Sequence, residues 1–417
     1  MEGAAVCQGE IYVGMEQLFF EFIQVAMGNR MSLSCGIKDA DWLRLFEFCK
    51  KQALIGVGFT ALEHLHTMGV ECPLDISMKW MAMALNIERQ NDKRNQQCAE
   101  LTRRYKHDGL STCILKGQGN LFNYPEYLRK RRQCGDIDVW TIPHAPIAIQ
   151  TGKDEVEYVK YHGHKAVIEY VKQLYRLEGK ELASALSYHH LDAPNMDGTP
   201  VEVHYRPAHL YSPWRNWRLQ RWFKCHEEEC MMNMTQMGFA VPTTSFNVVF
   251  QMAHMYKHYI DGGLGLRQLM DYYYVLRVWH NDVVDFNNLK SQGMCNEGLG
   301  ASVMSNTEVM GVIRSFGMGK FAGAVMSVLH KVFAMPTHYY ICEPNEKEGK
   351  KLLADIMNIG NFGHYNSKKP NMYQHRLKYH IWKFKRMFIF AISYPEEALC
   401  EPLFRIWRKI CRLLGQC

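Results

Sequence analysis

Long apolar runs are missing from this chain. No uninterrupted stretch approaches the ~20 residues that a membrane-spanning helix needs, so no integral membrane segment is expected. The opening MEGAAVCQGEIYVGMEQLFF carries acids and lacks a basic stretch followed by an apolar run and a small-residue cleavage site, which reads as no signal peptide. Internal repeats and low-complexity linkers are absent too. The fourteen cysteines lack the dense, regular spacing of a secreted disulfide scaffold, and reduced thiols in a cytoplasmic setting are the expectation. Acids are scarce in one place. Residues 368–417 hold eleven Lys and Arg against three acids, a net +8 in a chain whose total is +7, so the rest sums to −1. The basicity is a C-terminal property.

What is present describes a folded, soluble protein: 47% hydrophobic and 22% charged residues. With 417 residues, two or three structural units are expected. Residues 15–105 have helical periodicity. Leu18, Phe19, Phe22, Ile23, Val25 and Ala26 recur at helix spacing, and Trp42, Leu45, Phe46, Phe48 and Cys49 repeat it. Gly56 and Gly58, then Gly69 and Pro73, are expected to punctuate this part into four helices, the last a long one through MKWMAMALNIERQNDKRNQQCAELTRRYKHD.

The pattern changes near residue 110. Thr112-Cys113-Ile114-Leu115 predicts a buried strand running into a Lys116-Gly117 turn. Beyond Pro125, residues Ile137, Val139 and Trp140 alternate with Asp136 and Asp138 in a second strand. Residues 153–186 return to helix spacing, and LSYHHLDAP and PVEVHYRP predict a hairpin about a turn at Asn195–Gly198. Residues 243–280 and 285–340 read as helical. In the tail, Leu377, Ile381, Phe384 and Phe388 line one amphipathic helix, and Leu403, Ile406, Trp407, Ile410 and Leu414 line another. The expected fold is α+β: a small mixed sheet carrying the site, flanked by N- and C-terminal helical segments. The expected divisions are 1–108 helical, 109–232 an α+β core, 233–340 helical and 341–417 a basic helical tail.

The chemistry concentrates in the core. Residues two apart on a strand share a face, so Asp136 and Asp138 project together while Ile137 and Val139 face the interior. Two adjacent carboxylates repel unless a cation lies between them, and a hard divalent ion, Mg²⁺ first, prefers such oxygens. A bare Asp-x-Asp is common and alone reads as a solvated strand end. Three features add weight. The Lys116-Gly117 turn offers backbone N–H groups and a cation to phosphate oxygens. Glu202 and His204 share a face of Val201-Glu202-Val203-His204, and Glu202 supplies a third carboxylate. Arg131 and Arg132 precede Gly135-Asp136 and can neutralise a triphosphate, although Arg131 reads better as solvated charge.

The string Leu115-Lys116-Gly117, Tyr124-Pro125, Arg132 with Gly135-Asp136-Ile137-Asp138, then Glu202-Val203-His204 resembles the uncharacterised nucleotidyltransferase family, a branch of the polymerase-beta-like superfamily. His254, Arg267 and Asp271 are similar less specifically. The resemblance implies a nucleotidyltransferase-like core in which a hydroxyl acceptor attacks the α-phosphorus of an NTP and pyrophosphate leaves. It implies that Asp136 and Asp138 hold Mg²⁺ (or Mn²⁺), with Glu202 helping to hold the ion that activates the nucleophile. Lys116, Gly117, Gln118, Arg132 and Gly135 are the implied phosphate contacts, and His204, Arg206, His254, Arg267 and Asp271 the acceptor side. The acceptor, a protein, an RNA or a small molecule, is not named by the sequence. The superfamily's usual Gly-Gly or Gly-Ser turn is replaced by Lys116-Gly117, nineteen positions before Asp136. A degenerate member that binds a nucleotide or partner without turnover, and a kinase-like enzyme, therefore stay open.

Other candidates have simpler readings. His254 and His258 share a helix face, but Met255 breaks the zinc-peptidase pattern, leaving structural or acceptor-side histidines. Arg267 and Asp271, four apart, suggest a helix ion pair. Cys225 and Cys230 lack the second pair that zinc requires. Trp214, Trp217 and Trp222 read as packing residues. His189 and His190 are adjacent on a strand arm, so at most one is expected to face the site. The basic tail can contact RNA, a membrane surface or a protein partner; the simpler reading packs its apolar face on the body.

Overall fold

The computed structural model describes residues 3–150, 158–291, 303–361, 365 and 375–413. Four helices open the chain, as the spacing predicts: α1 (Gly3–Ala26), α2 (Asp39–Lys51), α3 (Ile55–Thr67) and α4 (Leu74–His107). Gly56 and Gly58 do not divide them. Both lie inside α3, where a side chain has no room. A Cβ on Gly56 would run into the Arg131 carbonyl oxygen, and one on Gly58 would fall 2.5 Å from Cys49 Sγ. The glycines permit close approach; left-handed residues mark the three breaks instead, at Gly28 (φ +71°), Ala53 (φ +56°) and Gly69 (φ +79°).

β1 (Leu110–Ile114) follows, then a 3₁₀ turn over Gly117–Asn123 and the single turn α5 (Glu126–Arg129) after Pro125. β2 (Ile137–Pro143) begins directly after Asp136. β3 (Ile147–Gln150) and β4 (Tyr158–Tyr161) form a separate antiparallel ribbon. The expected helix over 153–186 is thus corrected at its start. Tyr158-Val159-Lys160-Tyr161 is a short aromatic and β-branched run that pairs with β3, a preference that a wider helical window conceals. Residues 153–157 lie outside the described residues. Helix begins with α6 (Gly163–Tyr175) and α7 (Gly179–Ala185). The predicted hairpin is present as β5 (His190–Met196) and β6 (Thr199–His204), turning at Asp197 and Gly198, both at positive φ as a two-residue hairpin loop requires.

The remainder is helical: α8 (Pro213–Cys225), α9 (Glu227–Met232), α10 (Thr244–Asp261), α11 (Leu266–Ser291), α12 (Asn306–Ser315), α13 (Gly319–Phe333), α14 (Glu346–Ile359), α15 (Arg376–Ser393) and α16 (Pro395–Leu413). Residues 292–302, within the expected helical stretch 285–340, and Leu414 lie outside the described residues. No described helix is long and apolar enough to cross a membrane.

The main sheet runs β1-β2-β6-β5, with β2 and β6 parallel and the two outer pairs antiparallel, the mixed sheet of an α+β protein. Its faces belong to different cores. Ile114, Ile137, Val139, Val201 and Val203 pack with Tyr105 of α4 and Val167 and Val171 of α6. On the other face Cys113 and Trp140 join the large helical core, and Trp140 stacks on Phe246 of α10 at 5.5 Å. α10 therefore lies over the face that carries the acids.

The tail departs from its simpler reading. Its apolar stripe stays open: Leu377 is 74% exposed, Ile392 82% and Leu403 65%. Phe390, Tyr394 and Ala398 dock it, together with charged side chains that turn inward. Lys383 Nζ lies 2.6 Å from Glu401, and Arg386 bonds both carboxylate oxygens of Asp355 at 3.1 and 3.2 Å.

Candidate active site

Because β2 and β6 run parallel in register, Asp138 is opposite Glu202 and Trp140 is opposite His204. Strand alternation then puts Asp138, Glu202 and His204 on one face. His204 Nε2 is 2.9 Å from Asp138 Oδ1 and 3.2 Å from Glu202 Oε2. One donor atom from each of the three lies within 4.8 Å of the others. The turn after β1 closes the group, with Lys116 Nζ 2.6 Å from Asp138 Oδ1. Gly117 takes a left-handed φ of +49°, and a Cβ there would sit 3.3 Å from the Asp136 carbonyl, so glycine lets the turn lie against the start of β2. Asp136, one residue ahead of that strand, borders with Asp138 and Lys116 a cavity of about 30 Å³. That is roughly the share of one water molecule in the liquid.

The charges are interlocked. Burial opposes the Lys116 charge, yet Asp138, Glu202 and Asp136 outweigh it and raise its pKa. Burial likewise opposes ionisation of Asp138, but the Lys116 ammonium and His204 hold its carboxyl well below the usual range. Asp136 shifts upward, first through Asp138 and then through burial. For Glu202 burial is again the largest influence, but the hydrogen bond from His204 leads those that lower it. His204 is raised because its bonds to Asp138 and Glu202 outweigh burial. The centre is thus a buried cation–carboxylate network in which Asp136 is the acid least inclined to ionise without a further cation.

Several predicted residues lie elsewhere or have other partners. Gln118 is turned away: it donates to Asn91 O at 3.1 Å and Asn95 Oδ1 at 2.8 Å, fastening the 3₁₀ turn to α4. Arg132 borders the cavity with Gly135, but its guanidinium makes two 2.6 Å bonds to Asp271. The expected Arg267–Asp271 helix pair is therefore replaced. Asp271 also accepts from Tyr124 OH at 2.6 Å, and Arg267 donates to Gln133 O at 2.8 Å. His254 borders the cavity and lies 3.0 Å from His258 Nε2 to Nε2. Burial, then Lys116, holds His254 well below its ordinary pKa, and burial with Lys257 takes His258 down to about 3, so both are neutral. Arg206 is not at the carboxylates. It lies 4.5 Å over the Tyr188 ring and lines a cavity of about 640 Å³ with Trp217, Phe404 and Trp407. Cys225 and Cys230 are free thiols.

Sequence reasoning missed Gln251, which borders the small cavity three residues before His254; helical spacing alone places the two on one face. It also misplaced the histidine pair. His189 and His190 both reach His204, with ring centroids 5.3 and 5.1 Å from it. His189 lies just before β5, where strict strand alternation no longer applies.

Fold and site together define an α+β chain with an acid- and imidazole-bearing centre on two parallel strands. By sequence the chain belongs to the uncharacterised nucleotidyltransferase family, whose model matches residues 38–295. It is a nucleotidyltransferase-like protein. No curated protein and no solved structure matches it.

Proposed function

We propose that this chain transfers a nucleoside monophosphate from an NTP to a hydroxyl acceptor. The observation that carries the reading is the register of Asp138 with Glu202 on parallel strands, closed by Lys116 at 2.6 Å. The donor set fits a divalent ion: two ionised carboxylates and an imidazole, donor atoms within 4.8 Å, with Asp136 beside them. Bound there, Mg²⁺ (or Mn²⁺) supplies Lewis-acid polarisation of the phosphate and a more acidic acceptor hydroxyl.

The chain's own groups do the positioning. Asp136, Asp138 and Glu202 hold the ion. Lys116 leaves Asp138 and turns to the phosphates, joined by the backbone N–H groups at Gly117. Arg132 stays on Asp271, and this neutral pair fixes the cavity wall. The acceptor oxygen attacks the α-phosphorus, its bond to the bridging oxygen breaks, pyrophosphate departs and the hydroxyl proton passes to water. Alignment and charge neutralisation provide most of the acceleration in such chemistry. The acceptor approaches from the side of His204; Arg206, two residues on, lines the separate 640 Å³ cavity. The free thiols suit a reducing, cytoplasmic setting.

A second reading, binding without turnover, is favoured by the tightness of the centre: the cavity holds about 30 Å³, and Lys116 and His204 already occupy Asp138 Oδ1. Incubation with α- and γ-labelled NTPs, Mg²⁺ and fractionated acceptors separates the readings. Label transferred only from the α-position supports the proposal, transfer only from γ indicates kinase-like chemistry, and transfer from neither leaves binding alone. Asp138→Asn is expected to abolish Mg²⁺-dependent NTP binding in calorimetry. An unchanged titration overturns the assignment.

A further inference from the structure

Three imidazoles converge at the open end of the β5–β6 hairpin. The ring centroids of His189, His190 and His204 lie 4.4, 5.3 and 5.1 Å apart pairwise, and one ring nitrogen from each falls within 4.8 Å of the others. The backbone enforces this. His190 is paired with His204 across the hairpin, and the His189 carbonyl accepts the N–H groups of Tyr205 and Arg206 at 3.0 and 3.1 Å. Carboxylates flank the rings: Asp192 lies 3.2 Å from His190 Nε2, and Glu202 lies 3.2 Å from His190 Nδ1.

Buried polar atoms normally have partners, and an orphan costs free energy. Here His189 Nδ1 is buried without a hydrogen bond, and His190 Nδ1 has none of acceptable geometry. Packing explains one such ring more easily than two side by side. A carboxylate on the far nitrogen, as Asp192 is placed on His190, is the usual orienting partner of a metal-bound histidine.

We propose that His189, His190 and His204 hold a borderline, imidazole-preferring divalent ion of the zinc class, beside the oxygen-rich Asp138–Glu202 position. Metal–nitrogen bonds of about 2.0–2.1 Å put tetrahedral ligand atoms about 3.3–3.4 Å apart, so nitrogens lying within 4.8 Å of one another close on an ion with shifts of about an ångström or less each. Mg²⁺ demands oxygen ligands and near-ideal octahedral geometry, whereas imidazole suits zinc and its neighbours. His204 belongs to both donor sets, so an ion on the imidazoles competes with Asp138 for it. The inference rests on reading this centre as a metal site, but not on NMP transfer.

The test uses full-length chain stripped of metal by chelator dialysis and titrated with Co²⁺. The expected result is one bound Co²⁺ with the intense visible bands of nitrogen ligation, displaced by Zn²⁺ and unaffected by excess Mg²⁺. His189→Ala and His190→Ala, shown to unfold like the wild type without metal, are each expected to lose at least about tenfold in Co²⁺ affinity, since even outer partners of metal ligands cost that much. An all-oxygen spectrum in the wild type overturns the proposal even if the variants fail to fold. Displacement of Co²⁺ by Mg²⁺, or unchanged affinity in both variants, also overturns it. Labelled-NTP assays on the same preparations keep the two proposals apart: nitrogen-ligated Co²⁺ without NMP transfer refutes only the activity, and NMP transfer with an all-oxygen spectrum refutes only the imidazole site.

Discussion

Arg132 and Asp271 meet from distant parts of the sequence, both nearly excluded from solvent, through two parallel 2.6 Å bonds. Removing one member of such a pair strands the other charge in a low-dielectric interior, at a cost of about 3–5 kcal/mol. Arg132→Met is expected to lower urea stability by about that amount, and Arg132→Met with Asp271→Leu to recover much of it. A midpoint that does not move in the single variant contradicts the account. The pair also marks a limit of reading residues locally. Spacing of four suggested Arg267 as the partner of Asp271, because helix geometry is all that a linear pattern encodes. The two-pronged fit of Arg132, together with Tyr124, prevails in the folded chain because it satisfies the buried carboxylate from several sides.

Among the elements, α3 shows steric fit overriding propensity. An alanine in a helix interior is better than glycine by about 1 kcal/mol, which alone would make Gly56→Ala stabilising. The added Cβ meets the Arg131 backbone, which cannot rotate away, and overpacking of this kind costs about 1–3 kcal/mol. Gly56→Ala is therefore expected to lower the thermal midpoint, by about 1 °C per kcal/mol for a chain of 417 residues. A rise in the midpoint would show that α3 yields. The α15–α16 hairpin presents the opposite case, an apolar stripe with too little covering it. Leu377, Ile381, Phe384, Leu403 and Ile406 all remain open. Contiguous exposed apolar surface of this kind binds apolar probes. The full chain is expected to enhance the fluorescence of an anilinonaphthalene dye, and Leu403→Lys with Ile406→Lys to lose most of that signal. Equal enhancement by the two proteins would place the apolar surface elsewhere.

Across the whole molecule, Glu397 joins the C-terminal hairpin to the segment before α8, accepting the N–H groups of Tyr211 and Ser212 at 2.6 and 3.3 Å. Burial pushes its carboxyl up to about 7 despite those donors. A carboxyl raised in the folded state binds more proton folded than unfolded between the two pKa values. Stability therefore falls as pH rises from about 4.5 to about 7, the reverse of the usual acid. By linkage this contribution amounts to about 3 kcal/mol at most. Urea unfolding at pH 5 and pH 8 is expected to show a smaller difference for Glu397→Gln than for the wild type, in that direction. Identical pH dependence in the two proteins would remove Glu397 from the account.

The sequence by itself determined what a few neighbouring residues determine. Strand alternation placed Glu202 with His204, glycine and proline marked turns, and helix spacing located the long α4 and the faces of α10. The Leu-Lys-Gly and Gly-Asp-Ile-Asp strings pointed to the family before any distance was known. Only the tertiary structure decided that β2 and β6 run parallel with Asp138 beside Glu202, that Lys116 closes on Asp138, that Gln118 turns to α4, and that His189 and His190 both reach His204. The physical reason is one of range. Backbone geometry sets the direction of a side chain within a turn or a strand, whereas the meeting of distant elements is set by how the two faces of the sheet divide between two hydrophobic cores.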